Sequence, residues 1–351
     1  MLQLFLKKNH LSHLPKVAVV ILNWNGLTHL QRFLPSVVAS SYPNLEIIVA
    51  DNASTDSSLE WLDANYPNIT ILKGNQNLGF AGGYNFFLSQ IEADYYVLLN
   101  SDVLVSQTWI EPVVELMEND QSIAACQPKI LSVDQPDFFE YAGASGGWID
   151  VLGYPFCRGR VFDTIEKDEG QYNDAFPVFW ASGAAFFIRA KLFHEVGGFY
   201  EPFFAHQEEI DLCWRLQLRG YKIYVCPQAV VYHLGGGTLS VQSSRKSFLN
   251  YRNNLIMIAR NSSIVTLIWK LPTRYILDAI SAWKLLLYGQ PSNWLAILKA
   301  HIVFIIWFMT NITVIGKGTR KTPLHGFYKG SVVWDYYLLR KRYFSQIVKR
   351  N

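Results

Sequence analysis

The sequence predicts an α/β fold, a doubly wound mixed sheet followed by a helical, membrane-associating C-terminal extension. Three observations carry that prediction. Apolar runs, the first of them largely β-branched, alternate with segments of helical period through the first hundred residues, as buried parallel strands alternate with the helices that cover them. Polar residues close three of those runs: Asn23 and Asn25, Asp51 and Asn52, Asn100 and Asp102. Beyond about Ser247 the composition turns to long stretches of Leu, Ile and Trp with few charges.

The elements follow in order. Val17 to Leu22 reads as a buried strand that stops at the turn Asn23-Trp24-Asn25-Gly26. Leu30, Phe33, Leu34, Val37 and Val38 then recur at helical spacing. Glu46 to Ala50 is a second strand, Leu59 to Tyr66 a helix, and Ile69 to Leu72 a third strand. Gly79 to Glu92 is a loop running into a helix, and Asp94 to Leu99 is the fourth strand. Sheets of this kind bind ligands at the carboxyl ends of their strands, so the polar residues converging there mark a candidate site. From Ser132 to Gln171 the chain is rich in Gly and Asp and poor in strand signals, an insertion reaching about 132–178. A loop that long is functional or mobile. Sheet character resumes from Phe179 to Ile188 around Ser182-Gly183, and Val225 and Val230 to Tyr232 read as further strands. His233 then precedes the run Gly235-Gly236-Gly237, and Phe248 to Ile258 is a helix. The organisation expected is one α/β domain over 1–260 and a region over 261–351 that is apolar, then basic.

The chain has 351 residues, half of them apolar and 15% aromatic, enough for a sizeable core. Its net charge of +3 is unevenly spread: Lys317 to Asn351 holds nine Lys and Arg against one acidic residue, Asp335. A mildly acidic body with a basic tail suits an anionic lipid surface or phosphates, and a solvated terminal face is the plainer alternative. No nucleic-acid partner is expected. Cys126, Cys157, Cys213 and Cys226 form no C-x-x-C pair and read as reduced core cysteines. The first sixteen residues, with Lys7 and Lys8, lack the apolar run and cleavage pattern of a signal peptide. Ile302 to Ile315 is 14 residues without a charge, short of the ~20 a spanning helix needs. Helices lying in the membrane interface, flanked by Lys317, Arg320 and Lys321, are expected. A helical cap packed on the sheet is the alternative.

The stretch Phe203 to Arg215 puts three carboxylates, Glu208, Glu209 and Asp211, within four residues at a helix start. Acidic groups there suit the helix dipole, and they also suit a general base held beside an apolar floor.

Five blocks, taken together, resemble the inverting family 2 glycosyltransferases of GT-A fold, and within them the bacterial branch that builds rhamnose-containing surface polysaccharides. They are Val19 to Gly26, Asp51 to Asp56, Asn77 to Asn85, Leu98 to Val103, and a fifth joining Ser182-Gly183-Ala184 to Gly197-Gly198-Phe199, the carboxylates and Val231-Tyr232-His233. The likeness runs from about Val17 to Asn254. It implies a donor sugar on UDP or dTDP, dTDP-rhamnose by likeness, and a glycan or lipid-linked acceptor. It implies that Asp51 accepts from the N3–H of the base, with Leu22, Asn23, Asn25 and Ser101 nearby; an Asx turn is the alternative for Asp51. Asn77, Gly79 and Gly82 match the loop that approaches the nucleotide, where glycine allows close backbone approach.

Asp102 matches the last Asp of the family's D-x-D motif and would hold Mg²⁺ or Mn²⁺ against the diphosphate. Asn100 stands at the first position of that motif. His233 matches a histidine that approaches the metal or diphosphate, and as a nitrogen ligand it favours Mn²⁺; a structural His after a strand is equally consistent. The family's usual pair is Glu-Asp with Asp as base, which makes Glu209 the aligned base, with Glu208 and Asp211 as substitutes. Trp180, Ser182 and Gly183 are expected to line the acceptor cleft, Trp180 either stacking on a sugar or buried.

The expected function is non-processive, inverting, metal-assisted sugar transfer in cell-surface polysaccharide synthesis, on the cytoplasmic face of the membrane. A catalytically silent sugar-nucleotide-binding partner in an assembly complex is the alternative that Asn100 and Glu209 keep open. A processive synthase would need a Gln-x-x-Arg-Trp block, and a nucleotidyltransferase a basic Gly-rich loop near the N-terminus; neither is present.

Overall fold

Alternate residues of the first strand face two different cores. β1 (Val17–Asn23) sends Val17, Val19 and Ile21 into one buried cluster and Ala18 and Val20 into another, the period of two that a strand covered on both faces requires. The computed structural model describes residues 14–235, 243–316, 318 and 323–349. The expectations resting on Lys7 and Lys8, on Gly236 and Gly237, and on Lys317, Arg320 and Lys321 fall outside those residues.

The expected alternation is present. After β1 come α1 (Leu27–Val38), β2 (Leu45–Asp51), α2 (Ser58–Asn65), β3 (Thr70–Lys73), α3 (Gly79–Leu88) and β4 (Tyr95–Leu99). β5 (Val103–Val105), α4 (Glu111–Asn119) and β6 (Ile123–Ser132) follow.

The insertion is not strand-poor. It holds β7 (Gly147–Asp150), β8 (Pro155–Cys157), β9 (Arg160–Val161) and β10 (Thr164–Ile165). These strands have two to four residues each, too short for alternation to show in the sequence. β11 (Phe176–Val178), β12 (Ala185–Arg189), α5 (Ala190–Glu195), α6 (Glu208–Leu218) and β13 (Lys222–His233) complete the body.

The main sheet runs β11-β13-β6-β12-β4-β1-β2-β3, with β5 paired to β13. It is mixed: β1 lies parallel to β2 and β4, whereas β12 runs antiparallel between β4 and β6. That reversal brings the start of β12 to the carboxyl edge of β4, where Asn100 N donates to Ala184 O at 3.0 Å.

Past the sheet come α7 (Ser244–Asn261), α8 (Ile264–Leu287) and α9 (Pro291–Thr310). The chain then returns to the insertion. β14 (Phe327–Tyr328) pairs with β7 to finish a second sheet, β10-β9-β8-β7-β14, and α10 (Phe344–Ile347) buries Phe344 and Ile347. Position 260 therefore lies near the end of α7, and residues after it complete the insertion sheet. All four cysteines are free and buried.

Candidate active site

β1, β2 and β4 end side by side, and their register sets Asn23 opposite Asp51. Asn23 is buried, and its two Nδ2 hydrogens are shared among Asp51 Oδ1 (3.0 Å), Ser54 Oγ (3.1 Å) and Ser58 Oγ (2.9 Å). Asp51 Oδ2 accepts from Ser54 N at 3.0 Å. The Asx-type turn is thus formed, yet a carboxylate offers about four acceptor sites and keeps some for a ligand. The Asn23 Oδ1 is buried without a partner. A Cβ on Gly26 would lie 2.5 Å from that oxygen and 3.7 Å from Ser101 Oγ, so Asn23, Gly26 and Ser101 form one corner. Leu22 is half-buried and covers Gly83. Asn25, expected at the nucleotide, braces the neighbouring loop: its Oδ1 accepts from the N–H groups of Thr55 (2.7 Å) and Asp56 (3.2 Å).

Asn77 Oδ1 accepts from Gly79 N at 2.8 Å and from Asn52 Nδ2 at 3.1 Å, shaping the entry to α3. Gly79 has φ 73°, and a Cβ there would meet the Phe204 carbonyl oxygen at 2.6 Å. Phe80 N and Ala81 N both donate to that carbonyl, at 2.7 and 3.1 Å. The close backbone approach that glycine allows is made here by residue 204. Gly82 is buried in the first turns of α3, where a Cβ would sit 3.2 Å from Leu78.

Asp102 and His233 meet in the structure. His233 Nε2 lies 3.1 Å from Asp102 Oδ1 and 3.3 Å from Asn100 Nδ2. On the other side its Nδ1 lies 3.2 Å from Glu140 Oε2, a residue of the insertion that carries no sequence motif. Burial opposes charge on this imidazole, but the two carboxylates outweigh it and push its pKa up to about 10. Burial also opposes ionisation of Asp102, and His233 reverses the effect, so the carboxyl titrates below its ordinary range. Two ligands on one octahedral ion with bonds of ~2.1 Å stand about 3 Å apart, which the Asp102–His233 spacing fits. An ion would have to displace the imidazole proton. Among the described residues no group of three or more His, Cys, Asp or Glu could hold a metal ion, so phosphate oxygens would have to complete its shell, as Mg²⁺ sites commonly allow.

Glu208 and Glu209 open α6. Glu208 is 4% exposed. Burial, then the charge of Glu209, drives its pKa far above the carboxylate range. Burial raises Glu209 to about 7. Each keeps one buried carboxylate oxygen, Oε2, without a partner. Both adjacent carboxyls are thus displaced upward, Glu209 to near neutrality, the pattern of an acid–base site. Asp211, expected as a substitute base, is not available. It is wholly buried, taking Arg215 Nε (2.8 Å) and Arg260 Nη1 (2.8 Å) on Oδ2 and Asn261 Nδ2 (2.7 Å) on Oδ1. His206 precedes the pair; burial, then the charge of Lys246, lowers its pKa to about 4, and its Nε2 has no hydrogen-bond partner.

The expected acceptor residues divide. Trp180 is 4% exposed, with its indole N–H on Trp148 O (3.0 Å) and its ring against Gly147. It is a core aromatic with no open face for a sugar. Ser182 is also buried, its N donating to Gln127 Oε1 at 2.9 Å and its Oγ bonded to the Ala142 carbonyl. Gly183 is half-buried, with space for a Cβ closed by the Phe80 ring at 3.2 Å. Asn253 and Asn254 carry no motif, yet both amides reach the turn before the carboxylates. Their signal was two adjacent amides inside a helix, flanked by Leu249, Leu255 and Ile256.

A family profile described as glycosyl transferase family 2 matches residues 18–197. The N-acetylglucosaminyl-diphospho-decaprenol L-rhamnosyltransferase of Mycobacterium tuberculosis is 27% identical over 277 residues, 74% of this chain and 88% of that protein. Among solved structures, a mannosyltransferase from Pyrobaculum calidifontis in complex with GDP-Man and Mn²⁺ aligns with TM-score 0.53 and 15% identity, covering 84% of this chain and 88% of the other. GalNAc-T7 with UDP, GalNAc and Mn²⁺ aligns with TM-score 0.53 and 17% identity, over 70% of this chain and 48% of that one. The structural likenesses establish a shared fold.

Proposed function

Because the chain belongs to glycosyl transferase family 2, we propose that this glycosyltransferase moves a sugar from a nucleoside-diphosphate donor to a hydroxyl of a lipid-linked glycan, with inversion. The observation that carries the reading is the Glu208–Glu209 pair at the start of α6, both carboxyls pushed up by burial and Glu209 to about 7. The acceptor oxygen attacks the anomeric carbon from the face opposite the diphosphate. The bond from that carbon to the diphosphate breaks, the acceptor proton passes to Glu209, and the nucleoside diphosphate leaves. Burial favours the neutral form of Glu208, which keeps a second negative charge away from the attacking oxygen.

Asp51 and the free Asn23 Oδ1 orient the base of UDP or dTDP. Asp102 and His233 would hold Mg²⁺ or Mn²⁺, which when bound supplies positive charge against the departing diphosphate. The metal reading is supported by their spacing and by the Mn²⁺ in the mannosyltransferase of like fold. A lipid-diphosphate acceptor and a rhamnosyl donor are supported by the mycobacterial relative. The outward apolar faces of α8 and α9 support work at the cytoplasmic membrane surface.

Transfer from a panel of nucleotide sugars, with and without Mn²⁺, tests the reading. Glu209→Gln should lower kcat by about 10²–10⁴-fold, the usual worth of a general base. Unchanged transfer by that variant sinks the base assignment. Donor binding without turnover of any sugar favours the silent-partner alternative.

A further inference from the structure

The turn before the carboxylates is one the chain resists. Phe204, His206 and Gln207 have φ of 64°, 72° and 76°, a region that residues with a Cβ seldom enter. Such strain persists only where the surroundings over-determine it. Gln207 is also the residue before α6, and it makes no side-chain cap. A rotation in this turn would swing the first turn of α6, and Glu209 with it.

One side chain from a distant helix holds most of the turn. Asn253 of α7 is 0% exposed. Its Nδ2 lies 2.9 Å from Phe203 O, 2.9 Å from Ala205 O and 2.8 Å from His206 O. Its Oδ1 accepts from Arg252 Nε at 2.8 Å, which fixes the amide end that faces the turn. Arg252 Nη2 adds Pro202 O (2.7 Å), and Asn254 Nδ2 adds Gln207 Oε1 (3.1 Å). The remaining carbonyl, Phe204 O, is taken by the start of α3. Every carbonyl from 202 to 206 is thereby engaged, three of them by one amide. A residue needed only for its bulk would not be an amide whose two N–H groups are shared among three carbonyls.

We propose that Asn253 is a positioning residue for the transfer. It holds the 203–207 turn so that Glu209 reaches the acceptor hydroxyl, and it acts through Glu209 without touching either substrate. This rests on Glu209 being the base.

The test uses the full chain and the nucleotide sugar that turns over in the panel above. Asn253→Asp keeps the shape and sets a carboxylate against three carbonyls; Asn253→Ala removes the group; Asn253→Ser keeps one donor. The first two should lower kcat by about 10- to 100-fold, the effect of misplacing a reacting group by an ångström. The donor KM and the Kd for uridine diphosphate should stay within about two-fold, since ground-state binding is untouched. Adding Gln207→Gly to Asn253→Ala should restore part of the rate, because glycine takes the positive φ freely. Combined with Glu209→Gln, Asn253→Ala should cost little more than Glu209→Gln alone. Wild-type kcat in Asn253→Asp, a loss shared equally with uridine diphosphate binding, or full additivity with Glu209→Gln would overturn the proposal. So would failure of all three variants to fold, which would make Asn253 a determinant of the fold. An active Glu209→Gln would instead remove the base reading, an outcome read from that variant alone.

Discussion

Glu208 and Glu209 differ by one position and by what burial does to each. Burial and then the charge of Glu209 push Glu208 well above the carboxylate range, and burial raises Glu209 to about 7. A base must be ionised to accept a proton, so the pH–kcat profile should fall on its acid side with an apparent pKa near 7, about tenfold per unit below it. A limb near 4 would point to an exposed carboxylate instead. The same shift acts on stability with the opposite sense. The folded pKa of Glu209 is raised above its unfolded value of about 4.5, so its favourable contribution is complete below pH 4.5 and is lost as pH rises through 7. Glu209→Gln removes that loss. Thermal unfolding at pH 8 should show the variant more stable by on the order of 1–3 kcal/mol, with the difference vanishing below about pH 4.5. A variant less stable than the parent at pH 8 would show that the carboxylate is held charged by a partner.

At the scale of elements, legibility followed length and locality. β1, β2 and β4 were readable because each is five to seven residues of buried chain closed by a polar residue. The second sheet was not, because its strands are shorter and β7 finds a partner, β14, nearly 180 residues later. The acidic start of α6 was readable, but the commitment of Asp211 to Arg260 and Asn261 depends on how α7 crosses it. Trp180 was read with two outcomes, and Gly147 decides between them: the missing Cβ leaves the indole room to lie on the strand. Gly147 N donates to Trp180 O at 3.0 Å, and Phe179 N to Gly147 O at 2.8 Å, so neither backbone can retreat. Gly147→Ala should therefore destabilise the protein by about 1–3 kcal/mol, as overpacking does. Chemical denaturation would check it; an unchanged midpoint would mean that the ring can leave. Asp102 and His233 were both picked out in the sequence, whereas Glu140 behind them was not, since only the folded insertion delivers it.

Across the whole molecule, the C-terminal hairpin is amphipathic in the reverse sense. α8 turns Lys270, Arg274 and Asp278 inward, at helical spacing. Arg274 and Asp278 pair at 3.3 Å, and Asp278 also takes Tyr154 Oη at 3.1 Å. Outward it shows Ile268 (71% exposed), Ile276, Ile280, Trp283 and Leu287 (86% exposed), and α9 exposes Leu295, Ile302, Ile306 and Met309. Exposed Trp334 and Leu338 lie in the segment that meets α8 where Lys284 covers the Tyr337 ring at 5.2 Å, and Arg340, Lys341 and Arg342 follow directly. A water-soluble surface rarely leaves so large an apolar face open, and a basic rim beside it matches an anionic bilayer. α9 is long and apolar enough to cross a membrane by length and composition, with 28% of that window buried. A crossing α9, packed beside α8, would take the inward Lys270, Arg274 and Asp278 toward the bilayer interior, whereas a flat hairpin leaves them on the enzyme. Deleting the chain beyond residue 262 cannot decide the matter, because that segment also supplies β14 and the buried Val332, Tyr336, Phe344 and Ile347. Substitution can. Ile268, Ile276, Ile280 and Trp283 changed together to Gln touch only the outer face. Flotation with vesicles containing phosphatidylglycerol should carry the parent chain and leave the variant behind, while transfer to a short soluble acceptor is unchanged in both. Carbonate washing should release the parent chain from native membranes, as it does peripheral proteins; retention after washing would mean that α9 crosses.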